Sequence, residues 1–213
     1  MIAFASCIGS MEKFSTRTAP SLNRALETDS VFAELTTDTS IHEVYNEALE
    51  HFSTVDGLEA LVLLHDDVEV LAPERFCARV REIVADPSIA IAGVVGARDV
   101  HGLAWWEGTI AGSVAETRGV VEGDLDNRDV DAVDGLMMVL SPWAVRHLRC
   151  DTATFSGFHA YDIDLCFQAR AAGHRVVVAD LPVFHHTKGG YGDQEAWQAA
   201  DAAFRAKWGA TRA

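Results

Sequence analysis

With 213 residues, 49% of them hydrophobic, the chain can bury a full core without disulfide or metal staples, and a single domain is the default expectation. Its 17 basic and 32 acidic residues leave a formal net charge of −15, which argues against nucleic acid or an anionic lipid surface as a partner. Cys7, Cys77, Cys150 and Cys166 form no CxxC pair, no stretch approaches the ~18 apolar residues of a membrane span, and Met1 to Gly9 lacks the basic flank of a signal peptide. A cytoplasmic protein in a reducing compartment is expected.

In chain order, Ile2 to Ile8 reads as a first strand, Gly9 to Pro20 as a polar loop, and Ser21 to Leu26 as a short helix. Val31 to Leu35 is a second strand, ending at Thr36 and Thr37. Ser40 then opens a helix, with Glu43 positioned for a capping box and Ile41, Val44, Tyr45, Ala48, Leu49 and Phe52 on one apolar stripe. Leu61 to Leu64 is an unbroken apolar run of the kind buried on both faces of a parallel sheet. Pro73 starts a helix that ends before Pro87, and Ile89 to Val95 is another buried strand. This β-α-β-α-β-α-β order predicts a parallel sheet with helices on both faces.

Between Gly96 and Asp131 the pattern dissolves into irregular structure with short strands, on the side where a substrate would sit. Val133 to Leu140 is expected as a strand, Ser141-Pro142 as the start of a short helix, and Tyr161 to Ala172 as a helix stopped by Gly173. Two extended segments, Val176 to Ala179 and Val183 to His186, precede a last amphipathic helix from about Asp193, carrying Trp197, Phe204 and Trp208.

The chemistry-bearing positions cluster at predicted element ends. His65, Asp66 and Asp67 follow the buried strand at the sheet edge where α/β folds place their ligands. They could form a polar turn, but three potential ligands in succession suit a divalent cation holding phosphate. Helical spacing puts Asp162 with Leu165, Cys166 and Ala169 and turns Asp164 toward Gln168, so only Asp162 is expected on the core face. Both acids could simply complement the helix dipole, whereas a desolvated carboxylate has a pKa suited to a general base. His185-His186, ahead of Gly189-Gly190, could complete a metal shell, bind phosphate or be structural. Trp105 and Trp106, if in a strand, face opposite ways, leaving one to pack and the other to line a pocket. Asn46 flanks its helix stripe and could be merely solvated.

Taken in order, these pieces resemble the family 2 glycosyltransferases with the GT-A fold, and more closely their short branch, the glycosyltransferase-like family 2. The resemblance rests on Tyr45-Asn46 with Ala48, the segment Leu61 to Val70 with His65-Asp66-Asp67-Val68, Gly93 to Gly96, Trp105-Trp106, Asp134-Gly135, Phe158 to Cys166, and His185-His186 before Gly189-Gly190. It implies a Rossmann-like, mostly parallel central sheet with helices on both faces and a small antiparallel extension. The single domain would divide into a nucleotide-binding half (1–100), a sugar and acceptor half (101–190) and a C-terminal helix (191–213).

By the same resemblance, Asp67 with His185 or His186 holds Mn²⁺ or Mg²⁺, and Asp66 lies near the ribose or diphosphate. His65, in the first Asp position of the DxD-type motif, departs from the pattern on the nucleotide side, where Thr36, Thr37 and Asn46 also lie. Asp162 would be the catalytic base, with Tyr161 replacing the family's Glu. Trp105, Trp106, Asp134, Gly135, His159 and Tyr161 would face the sugar or acceptor. The implied activity is inverting transfer from a UDP- or GDP-linked sugar to an acceptor hydroxyl. The rival classes are a nucleotidyltransferase, for which Ser10 to Lys13 offers little of the usual Gly-rich basic loop, and a non-catalytic nucleotide-sugar-binding module.

Overall fold

The computed structural model describes residues 1–126, 128–190 and 192–209. The main sheet has six strands in the order β11-β5-β10-β3-β1-β2: Arg175–Val178, Ile89–Gly93, Met137–Leu140, Ala60–Leu64, Ile2–Cys7 and Val31–Leu35. All run parallel except β10, which pairs antiparallel with both β3 and β5. Every residue of β3, β5 and β10 is buried, as their unbroken apolar runs require of inner strands. Helices pack as two pairs, α2 (Ala19–Ala25) with α4 (Pro73–Val84) and α3 (Ile41–Ser53) with α5 (Pro142–His147).

A second, mostly antiparallel sheet has the order β4-β12-β7-β6-β9: Val68–Val70, Val183–His185, Thr109–Glu116, Val95–Arg98 and Ala132–Val133, with β8 (Gly119–Glu122) on β7. The chain passes between the two sheets at His65 to Asp67, at Val94, at Asp134 to Leu136 and between β11 and β12. Two of the expected strands are therefore each split: Ile89 to Val95 divides into β5 and β6, and Val133 to Leu140 into β9 and β10. Ile89 to Val95 stays apolar across its switch because both sheets are buried at the seam, whereas Asp134-Gly135 marks the switch within Val133 to Leu140. The stretch from Gly96 to Asp131 is also more regular than expected, since β7 extends over eight residues and pairs with three strands.

The expected loop from Gly9 to Pro20 is helical instead. The first turn α1 (Met11–Lys13) runs through a π-helical turn at Phe14–Thr18 into α2, and the Ser10 hydroxyl accepts the Lys13 N–H. Phe14 is buried and stacks on Phe32 with ring centroids 5.4 Å apart, so one aromatic anchors an otherwise polar segment. The capping box at Ser40 does not form. The Ser40 hydroxyl is buried without a hydrogen-bond partner, its N–H donates to Thr37 Oγ1 at 3.2 Å, and Glu43 accepts from Thr39 Oγ1. The predicted stripe holds nonetheless, with Ile41, Tyr45, Ala48, Leu49 and Phe52 all buried.

Helix α6 (Tyr161–Ala171) is buried on nearly every side because α7 (Gln194–Trp208) covers its outer surface, setting Phe204 and Trp208 on Phe167. The C-terminal segment expected over 191–213 is thus observed as Gln194–Trp208, while Tyr191 and residues 210–213 fall outside the described part. Among the described residues no helix is long and apolar enough to cross a membrane.

Candidate active site

A cleft of about 860 Å³ lies along the seam between the sheets. Its metal-competent centre forms where β3 ends and β12 runs alongside β4. His65, Asp67 and His185 each bring one ligand atom to within 4.8 Å of the others. His185 Nε2 lies 3.3 Å from Asp67 Oδ1, and its Nδ1 lies 3.1 Å from Glu116 Oε1 on β7. His65 Nε2 is 2.9 Å from the Tyr161 hydroxyl, which also donates to the Gly135 carbonyl at 3.0 Å. His186 turns the other way, with Nε2 3.0 Å from Glu69. Of the two adjacent histidines, His185 therefore faces the centre, as strand alternation requires.

The electrostatics follow from burial and pairing. Burial opposes the charged form of Asp67, but the hydrogen bond from His185 and the nearby imidazoles outweigh it and lower its pKa to about 2. Burial likewise disfavours the His185 imidazolium, yet the bond to Asp67, with Asp134 and Glu116 near, raises its pKa. His65 is pushed down by burial and then by His185, which keeps it neutral and able to donate a lone pair. Two imidazoles and one carboxylate are a donor set better matched to Mn²⁺ than to Mg²⁺, which prefers oxygen throughout.

Asp66 accepts the Ser10 N–H at 2.7 Å and lines the cleft beside Lys13, whose Nζ is 3.6 Å from Asp67 Oδ2. Thr37 lines the cleft as well, whereas Thr36 is exposed outside its lining. Asn46 stands apart and is fully engaged: its amide donates to the Cys150 carbonyl at 2.8 Å and accepts the Cys150 N–H at 2.7 Å. It pins the chain after α5 to α3.

Asp162 stands at the start of α6, with Oδ2 accepting the Gly135 N–H at 2.9 Å. Burial, and then the charge of Asp134, push its pKa up to about 7 despite the backbone N–H groups around it. The expectation that only Asp162 of the two acids faces inward is overturned. Asp164 is the more deeply buried, at 0% exposure, because α7 closes over it. Gln168 Nε2, Trp208 Nε1 and Lys207 Nζ reach its carboxylate at 2.7, 2.8 and 2.7 Å.

Trp105 and Trp106 sit on a 3-10 turn rather than a strand, so both rings reach the cleft. Asp134 and Gly135 occupy a crossover between the sheets, and His159 lies on the loop before α6 with its carbonyl accepting from His42. Gly135 has a steric reason to be glycine: a Cβ there would collide with the Tyr161 hydroxyl and come within 2.9 Å of Asp162 Oδ2. Local sequence pattern assigns no site role to Lys13, Glu116, Arg118, Phe158 or Trp197, all of which line the cleft or its side recess. Lys13 was hidden in a segment read as loop, and Glu116 and Arg118 in one read as irregular.

The profile of the family described as Glycosyltransferase like family matches residues 3–205. The chain belongs to that family. It is 29% identical over 202 residues to the streptomycin biosynthesis protein StrF of Streptomyces griseus, an alignment covering 93% of this chain and 71% of that protein. Among solved structures it is similar to the mannosyltransferase PcManGT from Pyrobaculum calidifontis, seen in complex with GDP-Man and Mn²⁺. That match has a TM-score of 0.55 and 12% identity, over 89% of this chain and 58% of the other. It is also similar to A197 from STIV, with a TM-score of 0.51 and 13% identity over 91% and 97% of the two chains. At these identities the structural neighbours speak to the GT-A-like fold of this glycosyltransferase-like chain, a mixed α/β fold with a mostly parallel central sheet.

Proposed function

We propose that this protein is an inverting glycosyltransferase that moves a sugar from a UDP- or GDP-linked donor to an acceptor hydroxyl. The observation that carries the reading is that, in a glycosyltransferase-like fold, the cleft holding the His65, Asp67 and His185 group adjoins, across His65, a recess lined by Asp162, a carboxylate with no cation paired to it among the described residues. Residues 1–100 supply most of the nucleotide side, with Asp66 and Thr37 in the wall, and residues 101–190 most of the sugar and acceptor side. The GDP-Man and Mn²⁺ bound by the Pyrobaculum enzyme make a nucleotide sugar and Mn²⁺ the first ligands to try.

His65, Asp67 and His185 would hold the cation, which supplies Lewis-acid neutralisation of the diphosphate. Lys13 and Arg118, both in the lining, add positive charge toward the same group. Asp162 takes the proton from the acceptor hydroxyl as that oxygen forms its bond to the anomeric carbon. The bond from that carbon to the diphosphate oxygen breaks on the opposite side, and the nucleoside diphosphate leaves with the electron pair. A base whose pKa lies near neutrality is suited to this task, and such assistance contributes roughly 10² to 10⁴ in rate. The Tyr161 hydroxyl, held between Gly135 and His65, ties the base's helix to the metal group.

The test is calorimetric titration with UDP and GDP, with and without Mn²⁺, followed by donor turnover assays. Absence of nucleotide binding would sink the transferase reading. Binding without turnover would favour a non-catalytic module, and release of pyrophosphate from a sugar phosphate plus a nucleoside triphosphate would favour a nucleotidyltransferase.

A further inference from the structure

A smaller recess of about 280 Å³ opens off the cleft beside Asp162. Its walls are aromatic. Trp105 and Trp106 meet edge to face at 5.9 Å, Trp197 from α7 lies 6.4 Å from Trp106, and Phe158, 50% exposed, stands at the rim. Its polar groups include the carboxylates of Asp134 and Asp162, and none of its lining residues is Lys or Arg. The main cleft differs in kind, since Lys13 and Arg118 both reach it.

Asp134 Oδ1 accepts the Leu136 N–H at 2.8 Å and Asp162 Oδ2 the Gly135 N–H, and neither acid forms an ion pair among the described residues. The recess is therefore an aromatic enclosure whose two carboxylates give it negative potential, with the imidazoles of His65 and His159 as the basic groups among its lining residues, in a chain of net charge −15. A neutral sugar ring could stack on the indoles but would leave that potential unanswered. An ammonium group satisfies both features, because ring faces and carboxylates each attract a cation.

We propose that the recess binds the protonated amine of the acceptor, so that the acceptor is an amino sugar or another small hydroxylated amine. The ammonium sits among the indole rings and Asp134, which turns a neighbouring hydroxyl toward Asp162. This assignment rests on the reading of Asp162 as the acceptor-side base.

The test uses the full chain at pH 7 and methyl glucosides carrying an amine at C2, C3 or C6, each paired with its N-acetylated form, with binding followed by calorimetry and tryptophan fluorescence. At least one amine should bind no less than about fivefold more tightly than its neutral partner, a preference that shrinks in high salt. Asp134→Asn, checked for folding by circular dichroism, should lose most of that preference. Equal or tighter binding of every N-acetylated form, or binding of none of the amines, overturns the proposal. Nucleotide binding and donor turnover are read separately. Turnover without amine preference removes this proposal and leaves the transferase reading intact, whereas amine preference without turnover keeps the recess as an amine site and overturns both its acceptor role and the transferase reading.

Discussion

Asp162→Asn should make the protein more stable above neutral pH while abolishing most of its activity. Burial and the neighbouring Asp134 hold the Asp162 pKa at about 7, against 3.8 for an ordinary aspartate. The folded state thus keeps a proton that the unfolded state has lost. Below about pH 4 both states are protonated and the group contributes nothing. As pH rises toward 7, unfolding releases a proton, and stability falls until both forms are ionised. A proton held about a thousandfold more tightly than in the unfolded chain, at about 1.4 kcal/mol per tenfold, gives about 4 kcal/mol, and screening through the open recess brings the expected penalty to about 2 kcal/mol. Asparagine can still accept the Gly135 N–H without charge. At pH 8 the variant should melt about 4–8 °C above the parent, and the difference should vanish near pH 4. Transfer should fall at least ~100-fold. Melting curves that stay parallel from pH 4 to 8 would refute the desolvation argument, and near-full turnover would refute the base assignment.

The same geometry makes four further predictions. Asp67→Asn should weaken Mn²⁺ binding at least about tenfold by calorimetry, while His186→Ala, facing Glu69, should leave it near the parent value. Because the His185 pKa is raised and ligation requires the neutral ring, Mn²⁺ affinity should also fall as pH drops, with proton release measurable in buffers of different ionisation enthalpy. Asp164→Ala should cost about 3 kcal/mol in denaturant titrations, since Lys207 and Trp208 lose a buried partner; Asp164→Leu combined with Lys207→Met should recover part of it. Gly135→Ala should destabilise by about 1–3 kcal/mol by forcing Tyr161 and Asp162 aside, and should lower turnover as well.

Much of the fold is legible in local pattern. The apolar runs Ile2 to Ala5 of β1 and Ala60 to Leu64 of β3 and the stripe of α3 each announce an element because burial alone dictates their residue types. What escapes is decided by distant partners. The split of Ile89 to Val95 between two sheets depends on β7 and β9, not on anything within the run. Phe14 looks like one apolar residue in a polar loop until Phe32 is placed beside it. The site divides in the same way. His65, Asp67 and Asp162 are conspicuous at element ends, and alternation could have separated His185 from His186 once the strand was located. The burial of Asp164 depends on Lys207 and Trp208, more than 40 residues downstream, so a helical wheel drawn on α6 alone assigns it to the wrong environment.

The two acids of α6 show how one short helix can carry both a charge-balanced carboxylate and one that burial pushes toward holding a proton. Asp164 is completely enclosed, yet it has a lysine, an indole N–H and a glutamine amide around it, so its charge is balanced where it lies. Asp162, on the recess side, has backbone N–H groups and a second carboxylate near it but, among the described residues, no paired cation. Their environments differ because α7 covers one side of α6 and leaves the other to the seam between the sheets. The arrangement couples them as well: α7 neutralises Asp164 through Lys207 and Trp208, and the same helix brings Trp197 to the recess beside Asp162. Loosening α7 would therefore act on the recess through the position of Trp197, without touching Asp162 itself.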